Sequence, residues 1–513
     1  MAIKRYKADA DTTIVNAFQP NLETRGTGAN AGLADVMEVF SIYGRETTSS
    51  QELSRILVKF PIASISADRT NGTLPASGNV SFYLRLFDAE SSKTIPTNYT
   101  LMVYPVSRSW EEGIGLDLEG YKDQVDQNTG ANWISCSKGI PWDLVGGDYL
   151  TSSGVPSYSQ TFTTGIEDMK IDISDLVEKW IAGTYDNNGV GIQLTASQEA
   201  YFSASTAAND YPGASGSVLW RLDGSTESYY TKRFFARGSQ YFFKRPVLEA
   251  RWDDRVTDDR GDFYYSSSLA PAADNLNTIY LYNYVRGRLT DIPGLTDGLL
   301  KVNLYSGSAT PTGSKLVLYD GTTALTGGHV STGIYSCSIG ITASSTPLQT
   351  LFDVWHTSSG GTRTEFFTGS ITPVEMRASE VVTEPTYYMN ITNLKDKYRN
   401  NETARFNLYV RKKNWSPTIY TIANANPENL TVHSASYRVY RLLDGYEAVA
   451  YGTGSELSTL LSHDISGNYF DFDMNLLEPG YAYGFKFAFY DYGVSSWVEQ
   501  PYVFKFRVAE YEY

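Results

Sequence analysis

Cysteine is nearly absent from this chain. Two stand in 513 residues, Cys136 and Cys337, too few for the disulfide framework of a small secreted domain. They fall in what read as different modules, so two free, partly buried thiols are expected, each packing as a small hydrophobe. Histidine numbers four, His329, His356, His433 and His463, and no two have the spacing of metal ligands on one local element, so the sequence carries no zinc signature. Positive charge is in deficit: 42 Lys and Arg face 57 Asp and Glu, for a net charge of −15. A nucleic-acid partner needs a basic footprint, and an anionic membrane surface would repel this chain. No apolar run approaches the ~20 residues of a membrane-spanning helix. Lys4, Arg5 and Lys7 are followed by no apolar stretch, so no signal peptide is expected. Heptads and short repeats are missing, which disfavours a coiled-coil or β-helical fibre. Gly-x-Ser-x-Gly elbows and phosphate loops are missing too.

Aromatic residues are plentiful, with 39 Tyr and 9 Trp among them, and they suit pleated, half-buried surfaces. Period-two alternation recurs along the chain. Ile56, Val58 and Phe60 alternate with Arg55, Leu57 and Lys59, and Phe82, Leu84 and Leu86 with Tyr83 and Arg85; each pattern predicts a strand with one buried face. The length suggests roughly three domains. Residues 1–256 read as one large, jelly-roll-like β-sandwich, with a long insertion at Ser107–Asp148 and an irregular stretch at 204–224. Residues 257–274, charged and then Ser-rich, read as a linker. Residues 275–378 read as an immunoglobulin-like sandwich of ~100 residues, including a strand at Leu316–Tyr319 and a tyrosine corner at Gly333-Ile334-Tyr335. Residues 379–513 read as an immunoglobulin- or fibronectin-III-like sandwich with a second tyrosine corner at Glu478–Tyr483. The fold class expected is therefore all-β.

One helix interrupts the strands. Leu176, Val177, Trp180 and Ile181 share a face, Ser174 is placed to cap the start, and Gly183 can take the left-handed conformation that ends a helix. Asp186-Asn187-Asn188-Gly189 then reads as a tight hairpin turn. The pattern Asp-Ile-Ser-Asp-Leu-Val-x-x-Trp-x-x-Gly at 172–183, the Asn-x-Gly strand at 187–194 and Arg245-Pro246-Val247-Leu248-Glu249 resemble the DNRLRE-type module. The Asp11-Thr12-Thr13-Ile14 start, Arg55–Phe60 and Ser109–Gly113 also fit, so the resemblance spans roughly residues 5–256. Such modules occur in extracellular polysaccharide-associated proteins and in some phage particles. The texture of the whole chain is similar to that of virion structural proteins of tailed phages infecting marine bacteria.

Residues that could carry chemistry are few. Glu111 and Glu112 beside Trp110 are the most enzyme-like cluster, but neighbours on an extended chain point opposite ways and cannot jointly flank one bond. Asp471 and Asp473 alternate with Phe470, Phe472 and Met474, as on any solvated strand face. Asp117 and Glu119 read as loop charge. His356 reads as a strand-end histidine and His463-Asp464 as turn chemistry. No cofactor is expected, although Asp9 and Asp11 are hard oxygen ligands of the kind a structural calcium ion takes. Tyr121, Trp133, Trp142 and Tyr149, all in or beside the insertion, are the candidate surface rings: they would stack on sugar, dock on protein, or simply anchor the loop.

The resemblance implies a non-enzymatic structural protein of a tailed-phage virion, associated with capsid, neck or tail. It would act by docking on other virion proteins, as an oligomer in the particle, and through adhesion to host surface glycans. An array of carbohydrate-binding modules is the alternative. The missing signal peptide agrees with synthesis in a host cytoplasm and release by lysis.

Overall fold

Period two becomes sheet along the whole chain. The computed structural model describes all residues except 1, 49, 92–94, 117–119, 124–128, 204–217, 272, 296–297, 319–321, 343–347, 360–361, 376–386, 420–428, 455–456 and 511–513. Asp117, Glu119, Tyr319 and the larger parts of 124–130 and 204–224 thus lie outside the described residues. Among the described residues the fold is all-β, with α-helices at Ile62–Thr70 and Ser174–Ile181. Contacts divide it into two compact units, Ile3–Arg251 and Trp252–Tyr513, the latter also taking the two N-terminal residues.

The first unit holds a four-stranded sheet in the order Ala2–Lys7, Val247–Trp252, Ser81–Leu86, Met169–Asp172, and a seven-stranded sheet centred on Gln51–Lys59. That central strand pairs with Ala10–Val15, Val36–Tyr43 and Val190–Leu194. One-sided burial is not what it shows. Every residue from Gln51 to Val58 is buried. Ile56 and Val58 face one way, while Leu53 and Leu57 face a second core built from Trp110, Ala131, Trp133, Cys136, Trp142 and Val145. The insertion covers what would otherwise be the solvated face, so polar Arg55 is buried with its neighbours.

The expected helix forms over Ser174–Ile181, with Leu176, Val177 and Trp180 buried. Ser174 is its first helical residue rather than its cap. Asp172 Oδ1 accepts the Ser174 N–H at 2.9 Å, and the Ser174 hydroxyl accepts the Phe82 N–H at 2.7 Å. Gly183 ends the helix at φ +70°. A second helix, Ile62–Thr70, buries only Ile65; with no apolar stripe it left no periodic signal. Arg69 on it grips Glu178 on the first through two hydrogen bonds of 2.6 and 3.1 Å. Asn187–Gly189 links helix to strand and makes no hairpin: Asn187 Nδ2 donates to Phe60 O at 2.7 Å. Gly189, at φ +81°, leaves no room for a Cβ, which would meet Val58 O at 2.2 Å.

The second unit holds two sandwiches. Around Ile279, Leu281, Val302, Tyr335, Ile339 and Trp355, a three-stranded sheet (Asn277–Tyr282, Ile334–Ile339, Gly328–Ser331) meets a four-stranded one (Leu325–Thr326, Leu300–Ser306, Leu351–Ser359, Thr362–Ile371). The Tyr335 hydroxyl accepts the Ile292 N–H at 3.0 Å. Lys315 bridges Tyr305, but the expected strand at 316–319 does not form over its described residues 316–318. In the second sandwich, Phe470 and Phe472 face inward with Phe406, Tyr437 and Phe485, while Asp471 pairs outward with Arg405. The Tyr483 hydroxyl donates to Glu478 O at 2.8 Å, as a tyrosine corner requires.

Residues 257–266 are not a free linker. Phe263 and Tyr265 are buried in the core of the first small sandwich. Tyr264 and Ser266 bridge Val374 and Thr342. Arg260 closes on the wholly buried Asp353, with Nη2 at 2.8 Å from Oδ2. Charge and serine disguised a strap whose Arg has a partner far along the chain.

Candidate functional site

The insertion is where the sequence placed surface rings, and the structure turns its tryptophans inward. Trp133 and Trp142 are buried, not exposed. Trp142 Nε1 donates to Asn132 O at 2.8 Å and Trp110 Nε1 to Asn188 O at 2.8 Å. Tyr149 is half-buried, with its hydroxyl donating to Gly146 O at 2.8 Å, and its ring fills the space that a Cβ on Gly191 would need. Tyr121 is half-buried too, close to the Phe40 ring and packed against Gly26. These contacts clamp the insertion to the sheet, and the burial of Trp133 and Trp142 sets aside a surface-contact role for those two.

What they enclose is a charge network. Arg55 lies beside the Trp133 and Tyr149 rings. It donates to Gly146 O at 2.9 Å and to Glu199 through Nε at 3.0 Å and Nη2 at 2.8 Å. Arg221 donates to the same carboxylate at 2.6 Å. The carboxylate raises the Arg55 pKa against the opposing effect of burial, so the guanidinium stays charged.

Glu111 and Glu112 diverge as neighbours on an extended chain must. Glu111 is exposed. Glu112 turns inward, accepts the Asp11 N–H at 2.9 Å, and is held from two sides by Arg237 at 2.5 and 2.6 Å. Asp11 is 1% exposed and accepts the Arg237 N–H at 2.6 Å. Burial, with help from the Glu112 charge and against that hydrogen bond, pushes its carboxyl up to about 7. A carboxyl so poised could hold a proton near neutrality, yet its burial leaves a substrate no approach. The cluster fastens strand, insertion and the 236–238 turn together. Asp9 is exposed, and it and Asp11 face the cations Lys59 and Arg237 rather than a ring of free oxygens.

The histidines hold what the sequence did not disclose. His329 pairs with Asp291 at 3.0 Å on the surface. The buried His356 lies inside the strand Leu351–Ser359, not at its end as expected, and meets Asn303 Oδ1 of the neighbouring strand at 2.6 Å. His463, in the strand Ser462–Asp464, is buried and lies 3.2 Å from Asp259 Oδ1. The His433 ring stands against it, centroids 4.8 Å apart and nearly perpendicular. The donor atoms of Asp259, His433 and His463 all lie within 4.8 Å of one another. Burial and the neighbouring imidazole hold His433 below its ordinary pKa, in the neutral form. Sequence spacing gave no warning, since strap, loop and strand bring the three together from separate places.

No family model matches this chain, and no curated protein does. Among solved structures, a DUF4785 family protein from Legionella pneumophila aligns over 93% of this chain and 90% of its own at 9% identity, with a TM-score of 0.13. A structure titled as a Ca2+-stabilized adhesin that helps an Antarctic bacterium reach out and bind ice aligns over 98% and 100% at 11% identity, with a TM-score of 0.14. At such scores neither likeness carries an argument about fold or function.

Proposed function

We propose that this chain is a non-enzymatic structural protein of a tailed-phage particle, associated with capsid, neck or tail. It works by docking rigid β-sandwich surfaces on other virion proteins, as an oligomer in the particle, and its first half adheres to host surface glycans. The similarity of the whole chain's texture to tailed-phage virion proteins, together with the DNRLRE-like residues of that half, is the reason for the phage assignment. The observation in the fold that supports a docking role is construction. Segments that look loose in sequence, the 107–148 insertion and the 257–266 strap, are fastened by buried rings and by the ion pairs Arg237–Glu112 and Arg260–Asp353, and a surface held this way changes shape little on binding.

Mass spectrometry of purified phage particles tests the proposal. The chain is expected in fixed stoichiometry with capsid and tail proteins. Its absence from particles, with soluble protein in the lysate, would defeat the virion reading; glycan-array binding by that soluble protein would then favour a carbohydrate-binding module array.

A further inference from the structure

We infer that Asp259, His433 and His463 form a binding site for one divalent transition-metal ion of the zinc class, which clamps the 256–262 strap to the last sandwich. Two imidazole nitrogens and one carboxylate oxygen suit zinc, cobalt, nickel or copper, whereas calcium and magnesium take oxygen throughout. A tetrahedral ion with bonds of 2.0–2.1 Å sets its ligand atoms about 3.3 Å apart. Asp259 Oδ1 and His463 Nε2 stand at 3.2 Å, and the His433 donor is within the same 4.8 Å group.

Each ligand is held from behind, as metal ligands generally are. Asp259 turns Oδ1 to His463 because its Oδ2 accepts the Thr278 N–H at 2.7 Å. The strap is zipped to the histidine's own strand: Asp258 N–H donates to His463 O at 3.0 Å and His463 N–H to Val256 O at 2.9 Å. His433 is positioned by Asn468, whose side chain accepts the Val432 N–H at 2.8 Å and donates to Val432 O at 2.9 Å. Among the described residues the His433 ring makes no hydrogen bond, and the protein gives the buried His463 ring one partner, Asp259, with Nδ1 left over. An ion pair between Asp259 and His463 would account for two of the three groups; it leaves unexplained the His433 imidazole turned onto the same point. The ligands leave one tetrahedral position for water, and Asp262 close to His433 adds negative charge that favours a cation.

The test uses the tag-free full-length protein, stripped of metal by chelation. Titrated Co2+ is expected to produce a visible d–d absorption band that saturates at one equivalent and is abolished by Zn2+. Zn2+ is expected to raise the melting temperature. His433→Ala removes a ligand whose ring makes no hydrogen bond among the described residues, and it should weaken Zn2+ binding on the order of 100-fold or more. Asp259→Asn, isosteric and still able to accept from Thr278, should weaken it likewise. Equal Zn2+ binding by wild type and both variants, absence of the Co2+ band, or stabilisation by Ca2+ in place of Zn2+ overturns the proposal.

Discussion

The Gln51–Lys59 strand and the core of the last sandwich solve one problem in opposite ways. Both are central to their sheets, and both bury aromatic rings. In the last sandwich the interior is rings packed with aliphatic side chains such as Leu408, Val410 and Val439: Phe406 stacks on Phe470 at 5.1 Å and meets Phe485 edge-on at 4.8 Å, while Arg405 and Asp471 of the same strands stay outside. In the first unit the central strand is covered on both faces, and one covered face contains Arg55, answered by Glu199 and the rings of Trp133 and Tyr149. The rings can be trimmed one at a time and leave a smaller core. The charges cannot, because each leaves its partner buried and unanswered.

That contrast gives the largest expected effect. Glu199→Ala strands Arg55 and weakens the hold on Arg221, and should destabilise the first unit by roughly 3–5 kcal/mol. Phe406→Leu in the last sandwich should cost about 1–2 kcal/mol, the loss from a ring whose neighbours can close in. Calorimetry of the full chain, resolved into its transitions, measures both. If Glu199→Ala is no worse than Phe406→Leu, the buried pair is not what holds the insertion down.

Proton linkage sharpens the same comparison, since the buried carboxyl Asp11 belongs to the first unit. Its ordinary pKa is 3.8 and its folded one about 7, so between those values the folded state binds the proton more tightly. The stability it contributes is complete below about pH 4 and is lost as pH rises through 7. Across that window the first unit should lose roughly 2–4 kcal/mol. Asp11→Asn, which keeps an acceptor for the Arg237 N–H, should flatten the loss. Denaturant unfolding at a series of pH values reads it; a wild-type profile as flat as the variant's would place Asp11 in water.

Features set by neighbours in sequence were legible, and features set by distant segments were not. Phe470-Asp471-Phe472 announces a half-buried strand because its period is its own, and Tyr483 announces a corner because its acceptor, Glu478 O, lies five residues upstream. Arg55 looked solvent-facing because the cover over it begins only at Ser107. Trp133 and Trp142 looked available because nothing local says which way a ring in a long loop turns. Residues 257–266 looked like a linker because Asp353, the partner of Arg260, lies almost a hundred residues away. The candidate metal site was illegible for the same reason. His433 and His463 have no shared local element, and Asp259 reaches them from the strap.

The smallest effect belongs to the surface of the last sandwich, and it closes the comparison from the other side. Arg405 makes two 2.9 Å hydrogen bonds to Asp471, a geometry as good as that of Arg55 with Glu199. Its side chain is 52% exposed, however, and that of Asp471 39%. Water already solvates both ions, ordering two side chains opposes the attraction, and salt screens what is left. Arg405→Ala should therefore shift the last sandwich's stability by no more than about 0.5 kcal/mol, and the shift should shrink further as salt is raised. A loss near that of Glu199→Ala, persisting in high salt, would mean that hydrogen-bond geometry and not burial decides what an arginine–carboxylate pair is worth in this fold.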